Sequence, residues 1–151
     1  MKLGAALSKL KSEKGKLARL INLRKKNAYV EQGIEPAYSF DTLSDEIDEK
    51  IEEIRKLKIQ IQKTNVEIML DEKITLAEAI VKIGDLRSQI AKLSDVTERE
   101  SFLSRWDRDN KVYIPTFDEK ELERKLERVE LEKVQLDNKL QKRLWEVDLI
   151  Q

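Results

Sequence analysis

The sequence contains no cysteine and no histidine. Without cysteine there is no disulfide framework, thiol nucleophile or zinc knuckle. Without histidine there is no Ser-His-Asp triad, imidazole base or histidine metal ligand, and the Glu-x-x-His of di-iron bundles fails. Aromatics make up 5% of the chain, and only two prolines and four glycines punctuate its 151 residues. No apolar run approaches the roughly 18 residues of a transmembrane helix. The mildly apolar start, Met1 to Leu7, is cut by Lys9 and Lys11 before a signal-peptide core can form, so a cytoplasmic location is expected. Gly-x-Gly-x-x-Gly, Gly-x-x-x-x-Gly-Lys and Gly-x-Ser-x-Gly are all missing, which leaves nucleotide cradles and nucleophile elbows without support.

What the chain has is charge. Thirty basic and thirty acidic residues make 40% of it and cancel. They are not evenly spread. Residues 1–33 hold nine Lys/Arg against two Glu, and residues 34–55 hold eight acidic residues against two basic. A chain that doubles back between these blocks would pair them. Two solvated faces are the alternative, and surface pairs are worth only about 0–1 kcal/mol each. The rest of the chain is balanced.

Apolar spacing predicts four helices, at about 2–30, 42–68, 75–94 and 117–147, in a single helical domain over 1–151. In the first, Leu3, Leu7, Leu10, Leu17 and Ile21 recur at alternating four-three spacing, with Lys14 and Arg24 in the intervening steps. Ala6, Leu20 and Leu23 widen this row. Gly33 and Pro36 mark its end, whereas Gly15 lies inside it. The second helix opens at Asp41 or Thr42 and follows Leu43, Ile47, Ile51 (or Lys50), Ile54, Leu57, Ile61 and Ile68. Thr64 and Asn65 interrupt the row, which predicts fraying or a turn there, or else a polar register position. Thr75 and Glu78 form a capping box ahead of Leu76, Ala79, Ile80, Ile83, Leu86, Ile90 and Leu93. In this helix Gly84 could allow close helix approach. A second capping box, Thr116 with Glu119, precedes the most regular heptads: Leu122, Leu126, Val129, Lys133, Leu136, Leu140, Leu144 (or Arg143) and Val147. Leu131 and Val134 lie off that row and suggest a second covered side. Between helices three and four, Asp107 to Asn110 reads as a loop tip, and Lys111 to Pro115 as a short β segment. Phe102, Trp106 and Tyr113 gather there as a candidate contact.

Two charged clusters invite chemistry. Glu49 with Glu52 or Glu53 could share a helix face and hold magnesium, as in helical nucleotide pyrophosphatases. Those enzymes add a Glu-x-x-Asp on the next helix, but here Glu67 is followed by Asp71, one residue too far. An acidic, solvated first turn is the favoured account, so no catalytic, cofactor or metal residue is assigned. The basic residues of helix one (Lys9, Lys11, Lys14, Lys16, Arg19, Arg24, Lys25, Lys26) could meet phosphates or an anionic membrane. The acidic block beside them and the lack of interleaved aromatics argue against both, so neither nucleic acid nor membrane is an expected partner.

The run Arg24 to Pro36 resembles a segment of short bacterial proteins labelled septicolysin, otherwise a domain of unknown function. Thr64-Asn65, Thr75-Leu76-Ala77-Glu78-Ala79 with Asp85-Leu86, Ile114-Pro115-Thr116 and Trp145 extend the resemblance over nearly the whole chain. Gly84 stands where members often have arginine, and Glu72 or Lys73 where many have glycine. The resemblance implies a mostly helical homo-oligomer, up to a hexamer, with no established catalytic residues. The label itself implies a pore-forming toxin, but no export signal or lipid-facing apolar band accompanies it here.

The expected protein is therefore all-α, with four long helices in antiparallel coiled-coil-like hairpins or a bundle. Its expected role is structural or interactive rather than enzymatic, with no cofactor. Rods of roughly 40 Å carry apolar positions on more than one side. Self-association, built from dimers, is the expected way to cover them. A pore-forming protein and a magnesium-dependent nucleotide hydrolase are the rival expectations.

Overall fold

The computed structural model describes the backbone of residues 1–106 and 111–151, and all side chains of these except 99–106. Among the described residues four helices hold 74% of the chain: α1 (Leu3–Lys26), α2 (Phe40–Glu67), α3 (Leu76–Trp106) and α4 (Glu119–Glu146). The all-α architecture expected from the spacing is the one observed. Among the described residues β pairing is confined to two isolated antiparallel bridges, Lys2 with Asp148 and Met69 with Thr75. Residues 111–115 are exposed coil, not the expected strand. A lone five-residue segment with no neighbouring edge has nothing to satisfy its backbone as a strand. The loop tip expected at 107–110 lies outside the described residues, as do the side chains of Phe102 and Trp106.

The chain forms two compact units, residues 1–68 with 143–151, and residues 69–142. The first is built on the α1–α2 hairpin. On α1 the inward row is Leu3, Ala6, Leu10, Glu13, Leu17, Leu20 and Arg24, all buried or half-buried. This departs from the expected row at every second step: Leu7 and Ile21 are 36% and 42% exposed. On α2 the row is Leu43, Ile47, Lys50, Ile54, Leu57, Ile61 and Thr64. Lys50 therefore takes the place that Ile51 could have filled, and Ile51 is exposed. α2 neither frays nor turns at Thr64. That hydroxyl is fully buried, donates to the Gln60 carbonyl (2.7 Å) and accepts the Ile150 amide (3.0 Å).

The start of α1 carries no side-chain cap. Its first amide, from Leu3, donates instead to the Val147 carbonyl at 2.9 Å, while the Leu149 amide donates to the Met1 carbonyl at 2.7 Å. The unpaired amides of one helix start thus meet the unpaired carbonyls of another helix end. Lys2 adds an ion pair to Asp148 (2.9 Å) and a bond to the Glu146 carbonyl. Together these hold the last residues of the chain against the first.

In the second unit, α3 buries Leu76, Ala79, Ile83 and Leu86 and half-buries Ile90 and Leu93. It continues well past residue 94, where its apolar row fades. Within this unit α4 places Leu122, Leu126, Val129, Lys133, Leu136 and Leu140 inward, as the heptads predict, and leaves Leu131 and Val134 exposed. Lys82 of α3 and Glu132 of α4 join the two helices at 2.7 Å. Asp71, in the turn before α3, accepts from the Lys73 and Ile74 amides and from Lys139 of α4.

Helix boundaries follow side-chain chemistry. The Thr75–Glu78 capping box forms reciprocally, with the Glu78 amide donating to Thr75 Oγ1 (3.2 Å) and the Thr75 amide to Glu78 Oε2 (2.7 Å). The other expected box does not form. Asp118, not Thr116, caps α4 by accepting the Lys120 and Glu121 amides. Ser39, not Asp41 or Thr42, caps α2. α1 stops at Lys26, with the Asn27 amide group donating to the Leu23 carbonyl. Gly33 is not the helix cap. Its φ of 88° serves a turn closed by the Ile34 amide on the Glu31 carbonyl, the third turn position where glycine is favoured.

Gly84 is open, with nothing within 4 Å of a would-be Cβ, so it mediates no close helix approach. A Cβ on Gly4 would instead lie 2.8 Å from the Trp145 indole. Gly84→Ala is expected to stabilise the protein by about 1 kcal/mol through helix propensity alone. Gly4→Ala is expected to lose that gain to overpacking, which costs about 1–3 kcal/mol. Thermal melts measure both, and in a Trp106→Phe background Trp145 fluorescence should shift only for Gly4→Ala.

Candidate functional site

The α1–α2 interface contains one charged layer, and every group in it is satisfied. Glu13 is 5% exposed, the only buried carboxylate among the described residues. Its Oε1 accepts from Lys16 Nζ and its Oε2 from Lys50 Nζ, each at 2.7 Å. Lys50 also donates to Glu53 Oε2 at 2.6 Å, and Lys9 lies 3.4 Å from Glu53 Oε1. The charges alternate along the chain Lys16–Glu13–Lys50–Glu53–Lys9, crossing twice between helices.

Electrostatics follow from these contacts. Hydrogen bonds from Lys16 and then Lys50 hold the Glu13 pKa down to about 2, against the opposing effect of burial. The hydrogen bond to Glu13, then that to Glu53, pushes the Lys50 pKa up. Glu53 is lowered, chiefly by Lys50. A carboxylate this committed to its ammonium partners is a poor proton acceptor near neutral pH. The layer's physical effect is alignment. Counting outward from Glu13–Lys50 at heptad spacing sets Leu10 level with Ile54 and Leu17 with Ile47. A slide of either helix would set both charges against apolar neighbours.

The acidic residues Glu49, Glu52 and Glu53 line one open concavity with Asp48 and Lys56, but each is engaged differently. Glu53 belongs to the layer, Glu52 is paired with Arg55, and Glu49 points outward. Among the described residues no group of three or more acidic side chains is disposed to hold a metal ion. The basic residues of α1 divide likewise. Lys9 and Lys16 enter the layer. Arg24 lies over the Phe40 ring, 5.4 Å from its centroid, and donates to Ser44. Lys11, Lys14, Arg19, Lys25 and Lys26 remain exposed. The basic and acidic blocks do lie side by side, yet only Lys9–Glu53 is an ion pair in the sense anticipated from the sequence. No described helix is long and apolar enough to cross a membrane.

Sequence reasoning missed Glu13 as an inward residue because it followed leucines and isoleucines. A signal was present: Glu13 is the sole acidic residue of α1, and Lys50 on the facing row needs an anion.

Fold and charged layer together define an all-α protein built on a register-locked helical hairpin. The chain belongs to a family of unknown function, DUF6847, whose model matches residues 11–149. It is also similar to a functionally unknown conserved protein from Corynebacterium diphtheriae, known from a crystal structure. The two share 26% identity over 99% of each chain, with a TM-score of 0.91. No curated protein matches. Neither description mentions the septicolysin label.

The pH dependence of this layer has a definite sign. A carboxyl depressed from 4.5 to about 2 contributes stability that is complete above the ordinary value and lost as pH falls towards 2. Asp71, held to about 2 by Lys139 and its backbone donors, adds to the same acid limb. Glu13→Gln should flatten the loss of stability between pH 4.5 and 2 while lowering stability at pH 7, as measured by urea melts. Glu13→Leu should destabilise at pH 7, and the double change Glu13→Leu with Lys50→Leu should recover or exceed native stability.

Proposed function

We propose that this is a non-enzymatic, self-associating helical protein whose role is structural or interactive. One observation supports this reading most. Each of the four described helices buries one row and leaves further large apolar residues in water: Leu7 and Ile21 on α1, Ile59 and Val66 on α2, Ile80 and Val81 on α3, Leu131 and Val134 on α4. Single exposed apolar residues are ordinary, but apolar residues repeated along a helix face mark association surfaces. Closed symmetric assemblies, dimers above all, are the common means of covering them. The Glu13 layer fits such a role, since it stiffens the hairpin without offering a reactive group.

Sedimentation equilibrium at micromolar concentration tests the proposal. A mass at a multiple of 17.7 kDa is the expected result. A single species at 17.7 kDa, or robust dye release from vesicles at neutral pH, would overturn it.

A further inference from the structure

The outward charges of the first unit are segregated in an unusual way. On α1, Lys11, Lys14 and Lys25 share a face with Leu7 and Ile21. All five are exposed, and no ion pair forms on these lysines among the described residues. On α2, Asp41, Asp45, Asp48 and Glu52 occupy the face opposite the buried row, followed by exposed Ile59. Asp41, Asp45 and Asp48 likewise form no ion pair among the described residues. Glu52 uses Oε1 for Arg55. Although α1 and α2 are neighbours, these two faces point away from each other, so one molecule leaves them unmatched.

Their spacings correspond. Leu7, Lys14 and Lys25 are separated by 7 and then 11 residues; Asp41, Glu52 and Ile59 by 11 and then 7. Both intervals are close to whole numbers of turns at 3.6 residues each, so each set stays on one line of its helix. Laid antiparallel, Leu7 meets Ile59, Lys14 meets Glu52 and Lys25 meets Asp41 in a single register. Ile21 then falls beside Asp45 and Lys11 beside Arg55, the two unfavourable steps of this register.

We infer that the α1 face Leu7–Lys14–Lys25 docks antiparallel on the α2 face Ile59–Glu52–Asp41 of a second copy of this chain. The inference rests on the self-association proposed above and assigns its surface. Charge fixes the direction and register of the contact, and the apolar ends supply buried area. Because the two faces point away from each other, the contact is head-to-tail, and it repeats around a ring.

Charge exchange tests it. Lys14→Glu with Lys25→Glu makes one variant, and Asp41→Lys with Glu52→Lys makes another. Each alone should associate about tenfold more weakly than the native chain or worse. Mixed in equal amounts they should associate again, because each then offers the face that the other lacks. Circular dichroism establishes that both remain helical. Should either variant fail to fold, the native protein serves instead. Its dissociation constant should rise several-fold between about 0.05 and 0.5 M salt, where screening of exposed charge becomes strong. Native oligomers indifferent to salt, or variants that associate unaltered, would overturn this surface while leaving self-association by other rows standing. Variants that weaken but show no recovery on mixing would also overturn it. A native species of 17.7 kDa at low salt would overturn both proposals, including when the basic face binds vesicles of anionic phospholipid.

Discussion

The hairpin of the first unit depends on one buried ion pair. An interface made only of leucine and isoleucine has several registers of similar energy, because any slide by seven residues restores apolar contact. Glu13 and Lys50 remove that degeneracy. Each sits on the inward row of its helix, and only one register brings them together. The extra ammonium of Lys16 and the extra carboxylate of Glu53 complete the hydrogen bonding, which is what makes a buried charge tolerable at all. The pair is better understood as specifying the alignment than as raising the stability, since apolar residues of similar volume would pack there as well.

Alignment of α1 against α2 has a second consequence at the other end of the hairpin. It brings the start of α1 and Thr64 of α2 to the place where residues 147–150 run. There the uncapped Leu3 amide, the Val147 carbonyl, the Thr64 hydroxyl and the Ile150 amide satisfy one another. A polar residue on an apolar row would otherwise weaken α2, and an uncapped helix start would waste an amide. Both deficits are met by the same short segment. The packing of Trp145 on Gly4 belongs to this clasp as well, since only a residue without a Cβ lets the indole approach so closely.

Much of this was legible in the sequence, and the exceptions are instructive. The rows on α3 and α4 are readable because leucine, isoleucine and valine outnumber the alternatives there, and the heptad spacing keeps Lys133 in its row. On α1 the pattern was ambiguous between Leu7–Lys14–Ile21 and Ala6–Glu13–Leu20, which differ by one residue at alternate steps. Hydrophobicity favours the first set. The structure adopts the second, because Ala6 permits close approach and Glu13 answers Lys50. A pairwise requirement of this kind is invisible to a count made on one helix at a time. Caps behaved similarly. Thr75–Glu78 is legible because both halves of the box lie close in sequence, whereas the start of α1 is satisfied by residues more than 140 positions away. The segment 111–115 has residues that favour a strand but no strand pairing among the described residues, and propensity without a neighbouring strand makes no sheet.

The two helices of the first unit treat charge differently from α4, and the difference bears on function. On α4 acidic and basic residues alternate, so that pairs such as Glu121 and Lys125 can help each other at i,i+4 spacing. On α1 every charged residue but one is basic. On α2 Asp41 with Asp45, and Asp48 with Glu52, place like charges at that same spacing. Like charges so placed weaken a helix, although the helix dipole favours Asp41 in the first turn of α2 and Arg24, Lys25 and Lys26 in the last turn of α1. Alternation would keep the same solubility and the same net charge of zero. Away from the helix ends segregation is a cost within each helix, and a surface of opposite charge brought alongside offsets it. The facing helix of the same molecule does this at Lys9 and Glu53, but not for Lys14 and Lys25 of α1 or Asp41 and Asp45 of α2. Under the proposed association the outward set of charges would meet its opposite on a second copy, as the inward set meets its opposite within the hairpin.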